Sequence, residues 1–296
     1  MKEKPNKSSG LTTFLLIVIF MIGLSLLLYP TVANYWNSKH QTRAIATYSE
    51  TVAQIDDTRY AEMWEEAKAF NATIPQRVNH SYLPDEDRPL YEAALNLGGS
   101  GVMGYVEIPE IDVTLPIYHG TSDSVLQRAV GHLDWTGLPI GEPGTHCVFS
   151  GHRGLPSAKL FTHLDKLVEG DVFILRILNE VMTYEVDQIL IVEPQDISAL
   201  QVVEGEDLCT LVTCTPYGIN THRLLVRGHR IENAEEAKAI IITSEMLQVD
   251  EMIVATVLAV PILLLLVLFV LLRKNGNRKD IDIEGIKKLL KSLDED

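Results

Sequence analysis

Two apolar runs near the ends set the frame for this chain of 296 residues. Residues 11–29 hold no charge and neither do residues 252–272, and each run is close to the roughly 20 residues a helix needs to cross a bilayer. Lys2, Lys4 and Lys7 precede the first run, and Arg273, Lys274, Arg278 and Lys279 follow the second. The positive-inside bias then puts both termini in the cytoplasm and residues 30–251 outside. Thr31-Val32-Ala33 has the small residues of a signal-peptidase site, but the apolar core exceeds the roughly 7–15 residues of a cleaved signal. Pro261 within the second run is tolerable in a membrane helix.

The net charge is −15; the N-terminal flank contributes +2 and residues 273–296 contribute +1, which leaves about −18 outside. An exterior this acidic argues against nucleic acid and against docking on anionic lipid headgroups, and is compatible with a cationic substrate group. Three cysteines make no disulfide framework. Cys209 and Cys214 fall on one expected strand, about 17 Å apart on opposite faces, so only Cys147 could bridge either. Three free thiols are expected, Cys147 and Cys209 as small buried residues.

The exterior begins helically. Ile45, Tyr48, Val52 and Ile55 recur at helical spacing, as do Tyr60, Trp64, Ala67 and Phe70, with Asp56-Asp57-Thr58 as a cap between the two sets. These helices read as a stalk or an attachment to the main body. Residues 72–100 read as irregular, broken by Pro84 and Pro89 and closed by Gly98-Gly99-Ser100-Gly101. Strands are expected at 102–108, 113–118, 145–150, 171–178, 181–193, 208–214 and 222–231, with a hairpin turn at Asn179-Glu180 and short helices around 122–130 and 157–167. That many short strands point to a mainly β fold closed, or nearly closed, into a barrel. In the tail, Ile283, Ile286, Leu290 and Leu293 share one helical face, as in a helix lying on a membrane; a solvated tail fits equally.

Chemistry concentrates in one connection. Cys214 closes an apolar run and Arg223 opens another, so folding the two runs together puts a thiol and a guanidinium into the same space. Upstream, Ser150-Gly151-His152-Arg153-Gly154 offers His152 as acid or base to the thiol. Cysteine, histidine and arginine together point to acyl transfer. A papain-like hydrolase places its cysteine at a helix start and its histidine later in the chain, the reverse of the order here. His132, His146, His163 and His222 lack the dense Cys/His spacing of a structural zinc site, so no metal is expected.

These residues resemble a known family. Thr210-Leu211-Val212-Thr213-Cys214 is similar to the TLxTC signature of sortases, with the family's arginine at Arg223 and its histidine at His152. The longer string over residues 214–228 resembles the class C, pilin-polymerising branch of Gram-positive bacteria, and the likeness extends through Gly104-Tyr105-Val106-Glu107-Ile108-Pro109 and Leu155-Pro156. The resemblance implies a sortase-like β-barrel over residues 101–232, preceded by a helical extension and lid-like segment at 30–100 and followed by a linker at 233–251. The membrane helices at 11–29 and 252–272 and the cytoplasmic ends at 1–10 and 273–296 complete the organisation.

It implies a membrane-anchored cysteine transpeptidase. Cys214 is the nucleophile, His152 the proton donor to the leaving amine, and Arg223 the oxyanion or substrate-positioning group; no cofactor is needed. The substrate is an LPXTG-like sorting signal on a pilin or surface protein, cleaved after its threonine, and the acceptor is a lysine amine of a second pilin subunit. Anchoring of surface proteins to peptidoglycan is the alternative within the family, and a non-catalytic membrane-tethered binding module the alternative outside it. Class C sortases often carry an Asp-Pro-aromatic tripeptide in a lid, and this sequence has none. Residues 79–91 stand in its place; their prolines and run of acids lead us to expect a weakly held segment.

Overall fold

The computed structural model describes residues 8–77 and 81–234, together with Leu263. The expected second span at 252–272, most of the linker at 233–251 and the tail at 273–296 therefore lie outside the described residues. The described residues up to 234 all belong to one compact unit.

The helix that carries the first apolar run does not end at Tyr29. It continues as α1 (Ser8–Val52), one helix that passes through Pro30 without a break and is long and apolar enough to cross a membrane. Its far end belongs to the body of the protein. Ile45, Tyr48 and Val52, the face expected from helical spacing, are buried in the main core. The Tyr48 hydroxyl donates to Met103 O (2.8 Å) and accepts from Leu178 N (2.7 Å), which satisfies a phenol whose pKa burial pushes up. The helical extension is thus an attachment rather than a free stalk. α2 (Asp57–Asn71) starts at the expected cap, where the Asp56 side chain accepts from Arg59 N at 2.7 Å. It buries Met63, Ala67 and Phe70, and its Asn71 amide brackets the backbone of Leu138 from both sides.

The strands are β1 (Val102–Ile108), β2 (Val113–His119), β3 (Val130–His132), β4 (Thr145–Ser150), β5 (Val172–Ile177), β6 (Glu180–Val192), β7 (Asp207–Thr215) and β8 (His222–Ile231). They close into a barrel in the order β1-β2-β3-β4-β7-β8-β6-β5. Closure leaves no unpaired edge for another chain to extend. The β2–β3 and β4–β7 pairs are parallel, and the other pairings are antiparallel.

β3 escaped the sequence pattern because it is three residues long with Gly131 at its centre. It takes Val130 from the helix expected at 122–130, which shrinks to α4 (Asp123–Leu126). No helix forms over 157–167 beyond one 3-10 turn at Leu164–Lys166. Leu160 there has φ +38°, and Phe161 N bonds back to His152 O, so the buried Leu160, Phe161 and Leu164 reach the core from turns. The β5–β6 hairpin turns one residue earlier than expected. Leu178 takes the positive φ, and Glu180 already pairs with Ile177.

Alternation along β7 and β8 divides two packed layers. Cys209, Leu211, Leu224 and Val226 face the barrel core with Cys147 and Phe149 of β4. Val212, Leu225 and Val148 face outward into a second apolar cluster, closed by Leu200, Ile197, Leu133 and Trp135. Cys147 and Cys209 are register partners on β4 and β7, both buried and both free; burial pushes the Cys209 thiol up.

Candidate active site

Cys214 shares the outward parity of Val212, and Arg223 that of Leu225. The two are direct partners in the β7–β8 register, joined by a loop that starts with a cis Thr215-Pro216 bond. Cys214 is half-buried and its thiol is free. Arg223 spends only Nη1 on the protein, donating to His222 O (3.1 Å) and Asn220 O (3.3 Å). Its remaining donors stay available on the face that carries Cys214.

His152 arrives from the other side. β4 runs parallel to β7 with Ser150 level with Val212, and His152 follows two residues beyond that end of β4, as Cys214 follows two residues beyond Val212. Two bonds hold the chain there: Gly151 N donates to Val212 O (3.0 Å), and the buried Thr213 hydroxyl donates to Gly151 O (2.8 Å). A β-carbon at Gly151 would stand 2.6 Å from the Phe161 ring, so no larger residue fits where the strand turns out toward His152. The fold thereby brings all three sequence-expected residues to one end of β4, β7 and β8.

The family model for the sortase domain matches residues 106–231, the barrel almost entire. Sortase C1 from Streptococcus agalactiae is 48% identical, with a TM-score of 0.62, over 65% of this chain and 100% of that one. The chain belongs to the sortase family. Similar values hold for sortase C from Streptococcus pneumoniae, 46% identical with a TM-score of 0.58 over 64% of this chain and 97% of that one. Clostridium perfringens sortase C, solved with the C-terminal cell wall sorting motif, is 41% identical with a TM-score of 0.57 over 64% and 99%. Against two curated sortases matched at 30% identity, the chain spans 63% and 41% of their length.

Sequence reasoning missed Arg153. Its side chain, 9% exposed, pairs with Asp165, donates to the Thr215 hydroxyl (3.3 Å) and lies over the Tyr217 ring (5.8 Å), while its buried Nε has no partner. This sortase therefore ties the His152 loop to the strand end beyond Cys214 through a second cation. Its position next to His152 was the only available signal. Of the four histidines weighed above as metal ligands, His222 pairs with Thr215 next to Cys214, and His132 and His146 are held by other partners. Buried His132 and His146 donate to Gly137 O and Gln201 O, and burial lowers both, His132 to about 3. Among the described residues no cluster suited to a metal ion exists.

The lid-like segment corrects one expectation. From Ser81 onward it is docked rather than weakly held. Leu83 is buried, Asp87 pairs at 3.0 Å with an Arg77 whose side chain is 3% exposed, and α3 (Arg88–Ala93) buries Tyr91. The Tyr91 hydroxyl accepts from Gly120 N (2.8 Å) and donates to His132 Nδ1 (3.1 Å). Pro89 sits in the first turn of α3, where a missing N–H costs nothing, and of the acids Asp87 is held by Arg77 while Asp85 stays exposed near Arg88.

Proposed function

We propose that this sortase is a membrane-anchored cysteine transpeptidase that joins pilin subunits. The observation that carries the reading is the direct pairing of Cys214 with Arg223, with the turn that leads to His152 tied to the same strand through Gly151. The Cys214 thiolate attacks the threonine carbonyl of an LPXTG-like sorting signal, and Arg223 stabilises the oxyanion that develops. His152 gives its proton to the leaving amine as the peptide bond breaks, which leaves a thioester on Cys214. A lysine amine of a second subunit then attacks the thioester, loses a proton to neutral His152 and displaces the thiolate. The product is an isopeptide bond, and the enzyme is regenerated without a cofactor.

The pilin and sorting-signal readings rest on the class C likeness. The Streptococcus pneumoniae sortase is described with pilin substrate specificity and the Clostridium perfringens one with its sorting motif. α1 supplies a membrane anchor, and the basic flanks favour a catalytic domain outside the cell with both termini in the cytoplasm.

The test is mass spectrometry of the enzyme with a sorting-signal protein and an acceptor pilin. Cys214→Ala should lose both the covalent adduct and the product, whereas Cys147→Ala and Cys209→Ala should still form them. A thioester trapped on Cys147 or Cys209 would overturn the assignment. Linkage to a peptidoglycan amine in place of a lysine side chain would refute the pilin reading and leave the chemistry intact.

A further inference from the structure

The face of α1 that enters the body changes character along its length. Ile45, Tyr48 and Val52 are buried in the core, and the positions in line with them nearer the apolar run are Asn34, Asn37 and Gln41. Asn34 and Asn37 are half-buried while Tyr35 and Trp36 between them are exposed, so the two amides lie on the side turned to the barrel. What they meet there is irregular backbone. Asn34 Oδ1 accepts from Lys159 N (3.0 Å), Asn37 Nδ2 donates to Ser157 O (2.9 Å), and Gln41 Nε2 donates to Arg128 O (2.7 Å).

Ser157 and Lys159 belong to the loop that leaves His152 and returns beside it. Phe161 N donates to His152 O (3.1 Å), Gly154 N to the Thr162 hydroxyl (3.2 Å) and Thr162 N to Lys159 O (2.8 Å). Ala158, Leu160 and Phe161 anchor the inner side of the loop in the core, and its rim, with Pro156 and Lys159 exposed, meets α1. Backbone groups outside a helix or ladder need side-chain partners or water, and here the helix supplies two of them. From Lys159 the chain runs two residues to Phe161, whose amide holds the His152 carbonyl.

We propose that Asn34 and Asn37 are positioning residues for His152: through them the helix that carries the apolar run braces the loop over residues 153–160 and holds the proton donor in place for the leaving amine. This role rests on the transpeptidase reading above. The brace sits at the rim, where water can replace it, so its loss loosens the loop and leaves the barrel folded.

Aspartate at the two positions separates the brace from charge. A carboxylate at 34 still accepts from Lys159 N, whereas a carboxylate at 37 cannot donate and sets two acceptors against each other at Ser157 O. Both variants add the same charge to the same helix face. The full-length chain in detergent micelles is assayed for kcat/KM on a sorting-signal peptide and on the matching ester with a low-pKa alcohol as leaving group, which departs with less help from a proton donor. Asn37→Asp and Asn34→Ala/Asn37→Ala should lower kcat/KM on the amide by about three- to tenfold and on the ester by less than about twofold, and Asn34→Asp should stay within about twofold of the wild type on both. Equal losses in the two aspartate variants would assign the effect to charge, and equal losses on amide and ester would assign it to something other than proton donation; either overturns the proposal, as does full amide activity in the double alanine variant. Hydrogen exchange reads the brace without turnover. Amides of residues 153–161 should exchange roughly tenfold faster in the double alanine variant while those of β7 and β8 hold, and unchanged exchange in the loop overturns the proposal. A wild type that cleaves neither substrate refutes the transpeptidase reading itself, and the role assigned to the two asparagines falls with it.

Discussion

Thr213→Val separates the support of the candidate site from the stability of the barrel. Valine keeps the shape of threonine and removes one hydroxyl, the donor to Gly151 O at 2.8 Å, from a side chain that is 1% exposed. The lost hydrogen bond and the stranded carbonyl should cost about 1–3 kcal/mol. The same change at Thr210, 1% exposed, removes a bond of the same length to His146 Nε2, four residues before Cys214 on the same strand. Urea unfolding should therefore rank the two variants within about 1 kcal/mol of each other.

Their activities should differ. Thr213→Val leaves two hydrogen bonds tying the His152 turn to β7, Gly151 N to Val212 O and Arg153 to the Thr215 hydroxyl, and a shift of about 1 Å in a catalytic group can cost on the order of a hundredfold in rate. We expect kcat/KM for a fluorogenic sorting-signal peptide to fall about 10- to 100-fold in Thr213→Val and less than about threefold in Thr210→Val. Thr213→Val with full activity, or both variants impaired in proportion to their lost stability, would refute the view that Thr213 positions His152.

Arg223→Lys keeps the charge and loses the planar fork, so turnover should drop by about a hundredfold or more; near-normal kcat would reduce Arg223 to a general positive field. Buried His132, held near pKa 3, is neutral when folded and binds a proton near 6.5 when unfolded, so the unfolded state gains protons and stability falls as pH drops through that window. The loss from this group should reach about 2 kcal/mol at pH 5, and urea midpoints for His132→Asn should show a flatter pH slope than the wild type; equal slopes would count against it. Asp87→Ala strands the buried Arg77 guanidinium and should cost about 3–5 kcal/mol, more than Arg77→Met/Asp87→Leu, which removes both charges. A double variant less stable than Asp87→Ala would reverse that argument.

The legible parts of this protein are those governed by local pattern. Seven of the strands follow from short apolar runs bounded by turn residues, and the Asp56 cap from the helical spacing on either side of it. The trio Cys214, His152 and Arg223 was legible from the residues around it, since a nucleophile at a strand end needs a short return loop and a glycine turn beside it. What failed to show was set by contacts far apart in sequence. β3 exists because β2 and β4 stand on either side of Val130–His132 with backbone groups to satisfy, and no three-residue segment carries that signal.

The docking of residues 81–94 depends in the same way on Arg77, Gly120 and His132, so a segment that reads as polar and proline-broken becomes ordered. Arg153 shows itself as part of the site only when Thr215 and Tyr217 come around to meet it. The sequence by itself determined the composition of the strands, the apolar span and the candidate trio, because each is written in neighbouring residues. The tertiary structure alone decided which charges are paired. Pairing depends on distance in space, and that distance placed Arg77 beside Asp87 and Arg153 beside Asp165.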